Sequence, residues 1–239
     1  MTLPIPFPPA GYVRRRLGER DVVALDSAAG AVADALATQP TLARWAAGRA
    51  EREVDGGRGP VWQVDLGGRP AAIRHYRRGG WMGPLLGDRY FGHSPRPFVE
   101  LSVSEALLAA GVRTPRVLAA VIAPARPGYR ADLATEWLSP GLDLEQILRP
   151  NLYPAAERTP AIEAAARTIG RAHAAGLDHP DLRPRNLFLR TLGAGGWEAA
   201  LLDLDRAWIA PAGPGGTPAK KKTSTASAVL SRRSVERAA

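Results

Sequence analysis

The sequence predicts an α+β fold of two lobes: an N-terminal lobe built on an antiparallel sheet and a small, mostly helical C-terminal lobe. Two observations carry this expectation. Short β-prone runs broken by glycine turns fill residues 53–74 and recur at 117–123 and 131–138, whereas helical spacing of alanine and leucine dominates 142–175. The expected boundaries are 1–138 for the first lobe, with an N-terminal extension over 1–50, 139–210 for the second, and a disordered basic tail over 211–239.

In chain order, residues 1–18 are proline-rich and then basic, an irregular or strand-like lead-in. Residues 27–50 read as helix, interrupted at Pro40 and restarted with Thr41 as N-cap; Arg44, Arg49 and Arg52 form a solvated face. Gly56, Gly57 and Gly59 separate two strands, and a second turn at Gly67-Gly68 makes a meander. The segment from His75 to Gly92 interleaves arginines with Tyr76, Trp81, Tyr90 and Phe91. That pattern suits either an anionic amphiphile, sugar phosphate or nucleic acid, or aromatics packed beneath a loop. Residues 97–110 read as a helix with apolar positions 98, 101, 107 and 108, carrying Glu100 and a solvent-facing Glu105. After the strand pair, Ser139-Pro-Gly141 fits a hinge. Helices follow over 142–148 and 155–175, the second with Ile162, Ala166, Ile169, Ala172 and His173 near one stripe.

Composition limits the chemistry. The chain has 239 residues, of which 45% are hydrophobic, enough for one or two cores. It has no cysteine, which excludes disulfides and thiolate metal sites. The N-terminus shows no basic segment followed by an apolar core, so no signal peptide is expected. The longest apolar run, 117–125, contains a proline and falls well short of the roughly 20 residues a membrane-spanning helix needs. A soluble or peripheral, cytoplasmic protein is expected. Net charge is +9, and more than half of it lies in 211–239, where all three lysines sit at 220–222. The body of the chain therefore has only arginine with which to hold a phosphate.

The most informative stretch is His179-Pro-Asp-Leu-Arg-Pro-Arg-Asn186, followed by Leu-Leu-Asp-Leu-Asp at 201–205. Asp181 and Asn186 have the H-x-D-x-x-x-x-N spacing of a kinase catalytic loop, and Asp203 lies 22 positions beyond Asp181 after an apolar run. Phosphoryl transfer needs a carboxylate to orient the acceptor hydroxyl and take its proton, a role that suits Asp181. It also needs hard oxygen ligands for magnesium, which suits Asn186 and Asp203. Either fragment alone reads as an ordinary turn; together, each beside an apolar strand, they point to a kinase. Ala71-Ala-Ile-Arg74 occupies the place of V-A-I-K, with Arg74 in the lysine position and Glu100 placed to pair with it, against the plainer reading of a surface strand arginine. Gly57 and Gly59 lie where backbone amides can approach phosphates.

Several segments resemble the 3-deoxy-D-manno-octulosonic acid (Kdo) kinases, within the bacterial lipopolysaccharide kinases of the protein-kinase-like fold. They are Gly57-Arg-Gly59, Ile73-Arg-His-Tyr-Arg-Arg-Gly-Gly80, Gly87-Asp-Arg-Tyr90, Pro97-Phe-Val-Glu100, the Ala-Gly-Val-x-x-Pro turn at 110–115, Tyr129-Arg-Ala-Asp-Leu-Ala-Thr-Glu136, His179-Pro-Asp181 with Asn186, and Leu202-Asp-Leu-Asp-Arg206. The resemblance covers roughly residues 50–208. It implies a compact two-lobed kinase that uses ATP and Mg2+ to phosphorylate a Kdo hydroxyl on a lipid A precursor, at the cytoplasmic face of the inner membrane. A lipid-linked sugar and an anionic membrane surface are the implied partners, and nucleic acid is not. Asp181 would be the base, Asn186 and Asp203 the metal ligands, Arg74 the phosphate contact and Glu100 its partner.

Two departures from the family pattern stand out. The family loop resembles H-A-D-L-N-A-H-N, whereas Arg183-Pro-Arg185 fills the middle here; Arg183 can reach a γ-phosphate as the protein-kinase lysine does. Beyond Ile209 the family continues as a basic helical segment, whereas this chain turns to Pro, Gly and then Lys-Lys-Lys, a tail able to attract anionic lipid. No A-P-E signal or large helical subdomain follows Asp203, which favours a small or lipid-linked acceptor over a protein. The alternatives are a kinase for another sugar or a protein hydroxyl, a nucleotide-binding pseudokinase, and a basic lipid-binding module.

Overall fold

A computed structural model describes residues 5–55, 59–77, 87–92, 94–149, 152–193 and 196–210. The expected tail at 211–239, Gly57, Trp81 and residues 78–86 of the basic-aromatic segment lie outside the described residues. The chain divides into two compact units, 1–106 with 115–139 and 107–114 with 140–239.

The first unit is an antiparallel sheet of seven strands. They are β1 (Tyr12–Leu17), β2 (Arg20–Leu25), β3 (Arg52–Asp55), β4 (Pro60–Asp65), β5 (Pro70–His75), β6 (Val117–Pro124) and β7 (Tyr129–Glu136), in the order β1-β2-β6-β7-β5-β4-β3. The expected α+β class and antiparallel sheet are therefore present. Helices α1 (Ala29–Thr38) and α2 (Leu42–Ala47) accompany it, and the Thr41 side chain accepts from the Arg44 N–H as an N-cap. Helix α3 runs Arg96–Ala109.

Alternation along the strands sorts side chains to two buried faces. Val22, Ala24, Ala71, Ile73 and Ala134 pack with Val32, Leu36 and Leu42 of α1 and α2. Val23, Tyr76, Ala131 and Leu133 pack with Phe98 and Leu101 of α3. Strand β2 reads as an unbroken Val-Val-Ala because both of its faces are covered, and for that reason its sequence carries no alternating signal.

The two-face rule fixes the polar residues of β5 as well. Arg74 shares the α3 face with Tyr76, while His75 points to the opposite one. There His75 Nδ1 lies 2.6 Å from Asp132 Oδ1, and His75 Nε2 lies 3.0 Å from Asp88 Oδ2. His75 and Asp132 are register partners of β5 and β7. Arg130 Nε reaches Asp88 Oδ1 at 2.9 Å, and the Ala43 N–H donates to Asp132 Oδ2 at 3.3 Å. Residues 87–92 are thereby tied to the sheet. Paired backbone bonds between Tyr90 and Tyr129 add to the attachment, at 2.8 and 2.9 Å. Gly128 permits the approach: its φ is +97°, and a Cβ there would clash with the Tyr90 carbonyl oxygen.

Two expectations change here. Tyr76 and Tyr90 are buried at 4% and 3% exposure, so of the two readings of the basic-aromatic segment, these rings follow the packed one. Glu105 does not face solvent: its Oε1 accepts from the Tyr12 hydroxyl at 2.8 Å and lies 3.4 Å from Arg116 Nε. Burial, reinforced by the Glu105 charge, raises the Tyr12 pKa.

The second unit contains β8 (Leu142–Asp143), α4 (Leu144–Leu148), α5 (Ala155–Ala174), β9 (Leu177–Asp178), β10 (Leu187–Thr191), β11 (Trp197–Leu201) and β12 (Trp208–Ile209). The strands form a sheet β11-β10-β8 and a pair β12-β9. Helix α4 opens with a capping box made by Asp143 and Gln146. The buried stripe of α5 is Ala161, Ala164, Ala165, Thr168 and Ala172, and the Thr168 hydroxyl lies 3.3 Å from the Ala199 carbonyl oxygen. Ala166 and His173, placed near the stripe by their spacing, are exposed. Small residues and a bonded threonine let α5 sit close to β11, which a stripe drawn through the larger side chains misses.

Burial lowers the His75 pKa, but the hydrogen bond and charge of Asp132, and then those of Asp88, outweigh it, so the net shift is upward. The folded state thus binds the imidazolium more tightly than the unfolded chain does. Its contribution to stability is full below the ordinary histidine pKa of about 6.5 and is lost as pH rises through the elevated folded value. Denaturant unfolding measured across that range should show a stability loss on the alkaline side that is absent in His75→Gln. Identical pH dependence in the two proteins would contradict the assignment.

Candidate active site

The register of β10 and β11 assembles the second unit's candidate residues. Leu187 pairs with Leu201, so Asn186 falls opposite Leu202, one residue before Asp203. The Leu202 N–H donates to the Asn186 carbonyl oxygen at 2.8 Å. Asn186 closes a 3-10 turn over Pro184–Asn186, and its side-chain Nδ2 donates to the Asp181 carbonyl oxygen at 2.8 Å. One buried residue, Asn186, therefore connects the loop that carries Asp181 through its side-chain amide to the strand end that precedes Asp203 through its backbone carbonyl. Arg183 Nε lies 2.7 Å from Asp181 Oδ1, so the loop arginine sits on the candidate base. Asp181, Arg183, Asn186 and Asp203 are thus brought into one backbone-linked assembly.

Asp203 has φ +54°, the one left-handed non-glycine residue among those described. Aspartate tolerates this region better than most residues, yet the conformation still costs on the order of 1 kcal/mol and is typical of functional turns. His179 is buried beneath the loop, with Nε2 3.5 Å from the Leu202 carbonyl oxygen, so it also links the two motifs.

The donor set fits a hard cation. The Asn186 amide nitrogen is committed to the Asp181 carbonyl, which turns its Oδ1 into the amide's acceptor end. Together with the Asp203 carboxylate it offers oxygen ligands only. No group of three or more His, Cys, Asp or Glu able to hold a metal occurs among the described residues.

In the first unit, Arg74 Nη2 lies 2.5 Å from Glu100 Oε1, the ion pair expected from the sequence. Glu100 is buried, whereas the Arg74 side chain keeps 27% of its exposure. Sequence reasoning did not foresee the Tyr76 hydroxyl, which donates to Glu100 Oε2. The available signal was period two: Tyr76 stands two residues from Arg74 and shares its face. Gly59 has φ +150°, a backbone conformation that side chains disfavour, just before β4. The structure brings Arg74 and Glu100 together and leaves Gly59 at the start of the neighbouring strand.

Residues 43–210 match the Lipopolysaccharide kinase (Kdo/WaaP) family. The 3-deoxy-D-manno-octulosonic acid kinase of Xylella fastidiosa is 35% identical over 165 residues, covering 68% of this chain and 63% of that protein. The enzyme of the same name from Vibrio parahaemolyticus is 33% identical over 156 residues, covering 64% and 59%. A solved structure of WaaP in complex with acyl carrier protein aligns over 72% of this chain and 67% of that one, with 22% identity and a TM-score of 0.48. The chain thus spans about three fifths of the length of the curated relatives it matches. The family match covers β3 to β7 of the antiparallel sheet, the Arg74–Glu100 pair and the residues Asp181, Asn186 and Asp203, and the chain belongs to the lipopolysaccharide kinase (Kdo/WaaP) family.

Proposed function

We propose that this protein transfers the γ-phosphoryl group of ATP to a hydroxyl of a Kdo sugar on a lipid A precursor. Lobes over 1–138 and 139–210 carry the two sets of residues described above, and the basic tail over 211–239 favours an anionic surface. The observation that carries the reading is that buried Asn186 bonds to the Asp181 carbonyl through its side chain and to Leu202, next to Asp203, through its backbone, in a chain whose curated relatives are named 3-deoxy-D-manno-octulosonic acid kinases. Among the described residues no helix is long and apolar enough to cross a membrane. A lipid-linked acceptor would then be met at the cytoplasmic face of the inner membrane by peripheral contact, with 220–222 and 232–233 supplying charge.

Each residue has a defined task. Asp181 orients the acceptor hydroxyl and takes its proton as the oxygen bonds to the γ-phosphorus and the bond to the leaving ADP oxygen breaks. Arg183, seated on Asp181, moves its charge to the transferring phosphoryl group when substrate separates the pair. Arg74 binds the nucleotide phosphates through its planar fork, held by Glu100, with the backbone amides of Gly57 and Gly59 as further phosphate contacts. Asn186 and Asp203 would hold Mg2+, which neutralises charge on the phosphate oxygens.

Incubating purified protein with γ-labelled ATP and a Kdo-bearing lipid A precursor should label the lipid. Asp181→Ala should reduce the rate by about a hundredfold or more. Absence of label with wild type while Mg-ATP still binds would overturn the acceptor assignment and direct attention to Arg183-Pro-Arg185. Separately, Asn186→Ala and Asp203→Ala should raise the Mg2+ concentration needed for half-maximal transfer; an unchanged requirement in both would remove them as ligands.

A further inference from the structure

Glu100 is buried at 5% exposure, and its two carboxylate oxygens are engaged from the end of one strand. Arg74 Nη2 meets Oε1 at 2.5 Å, and the Tyr76 hydroxyl donates to Oε2. The Arg74 guanidinium carbon also lies 4.9 Å from the Tyr76 ring centroid. Tyr76 thus touches both members of the ion pair, one with its hydroxyl and the other with its ring. It is itself buried at 4% exposure and packs edge-on against Tyr90, with centroids 6.1 Å apart. Of the three residues, the arginine is the one that retains substantial solvent access.

An arginine in a lysine's position has an orientation problem that lysine lacks. An ammonium is a compact charge whose three donors rotate freely, whereas a guanidinium delivers its N–H groups in one plane. It grips a phosphate productively only when that plane is set. A hydroxyl on the second oxygen fixes the carboxylate, and an aromatic ring beside the guanidinium restricts its plane.

We propose that Tyr76 is a positioning residue for nucleotide binding: its hydroxyl fixes Glu100 and its ring fixes the plane of Arg74, presetting the arginine for the phosphates. This rests on the reading of Arg74 as the phosphate contact. Tyr76 touches no substrate and acts only through its two neighbours.

The test is equilibrium titration of the full chain with a fluorescent ATP analogue and Mg2+, which needs no acceptor. Tyr76→Phe should weaken binding about three- to tenfold, the scale of one hydrogen bond, and Tyr76→Leu should weaken it further by removing the ring as well. In an Arg74→Ala background, Tyr76→Phe should have no additional effect on affinity. Weak binding by Arg74→Ala alongside wild-type affinity in Tyr76→Phe, with only a lowered Tm, would overturn the positioning role and leave the phosphate contact standing. Wild-type affinity in Arg74→Ala would overturn both. Should Tyr76→Phe not fold, Glu100→Gln probes the same clamp, because an amide cannot accept from both partners at once; wild-type affinity in that variant would also overturn the proposal.

Discussion

A carboxylate buried between a helix and a sheet must find donors, and Glu100 finds two, Arg74 and Tyr76. A carboxylate this buried is costly to leave without its donors, because its charge would then sit in a poor solvent. The pair therefore constrains the first unit strongly. Helix α3 must present position 100 to the sheet, and β5 must hold the register in which positions 74 and 76 face it. The same register sends His75 to the other face, where Asp132 and Asp88 receive it. One strand and the residue after it thus organise a polar network on each side of the sheet, and a one-residue slip would exchange the two sets and satisfy neither.

The second unit has a different task, which is to hold a short, polar loop in place. It does so through backbone hydrogen bonds at a strand end. The β10–β11 ladder runs out at Asn186, whose carbonyl still accepts from Leu202 while its side chain turns to the carbonyl of Asp181. Asp203 follows in a left-handed conformation that redirects the chain immediately after the strand. The strand and loop bonds on either side offset the cost of that backbone conformation.

Much of this was legible in the sequence where local chemistry is distinctive. Thr41 after Pro40 announced the restart of a helix, and the glycines at 67 and 68 announced a strand turn. The spacing of Asp181, Asn186 and Asp203 anticipated an assembly that the strand register produces. What was not legible depended on contacts distant in sequence. Strand β2 was missed because burial on both faces removes the alternation that marks a strand. Glu105 was read as solvent-facing because its partners, Tyr12 and Arg116, come from strands remote from it or beyond a turn. The stripe of α5 was misdrawn because the helix packs through alanines, which carry little hydrophobic signal. Tyr76 was grouped with the basic-aromatic segment because no local feature distinguishes a ring bonded to a buried glutamate from one lying under a loop.

Whether this chain places a phosphate on a Kdo hydroxyl, as proposed, can be read from phosphorus NMR of the purified lipid product, with connectivity traced from phosphorus to the sugar protons. One new phosphomonoester coupled to a Kdo ring or side-chain proton is expected of that activity. A new phosphate on the glucosamine backbone of lipid A, or none on the lipid while ATP is consumed, would contradict it.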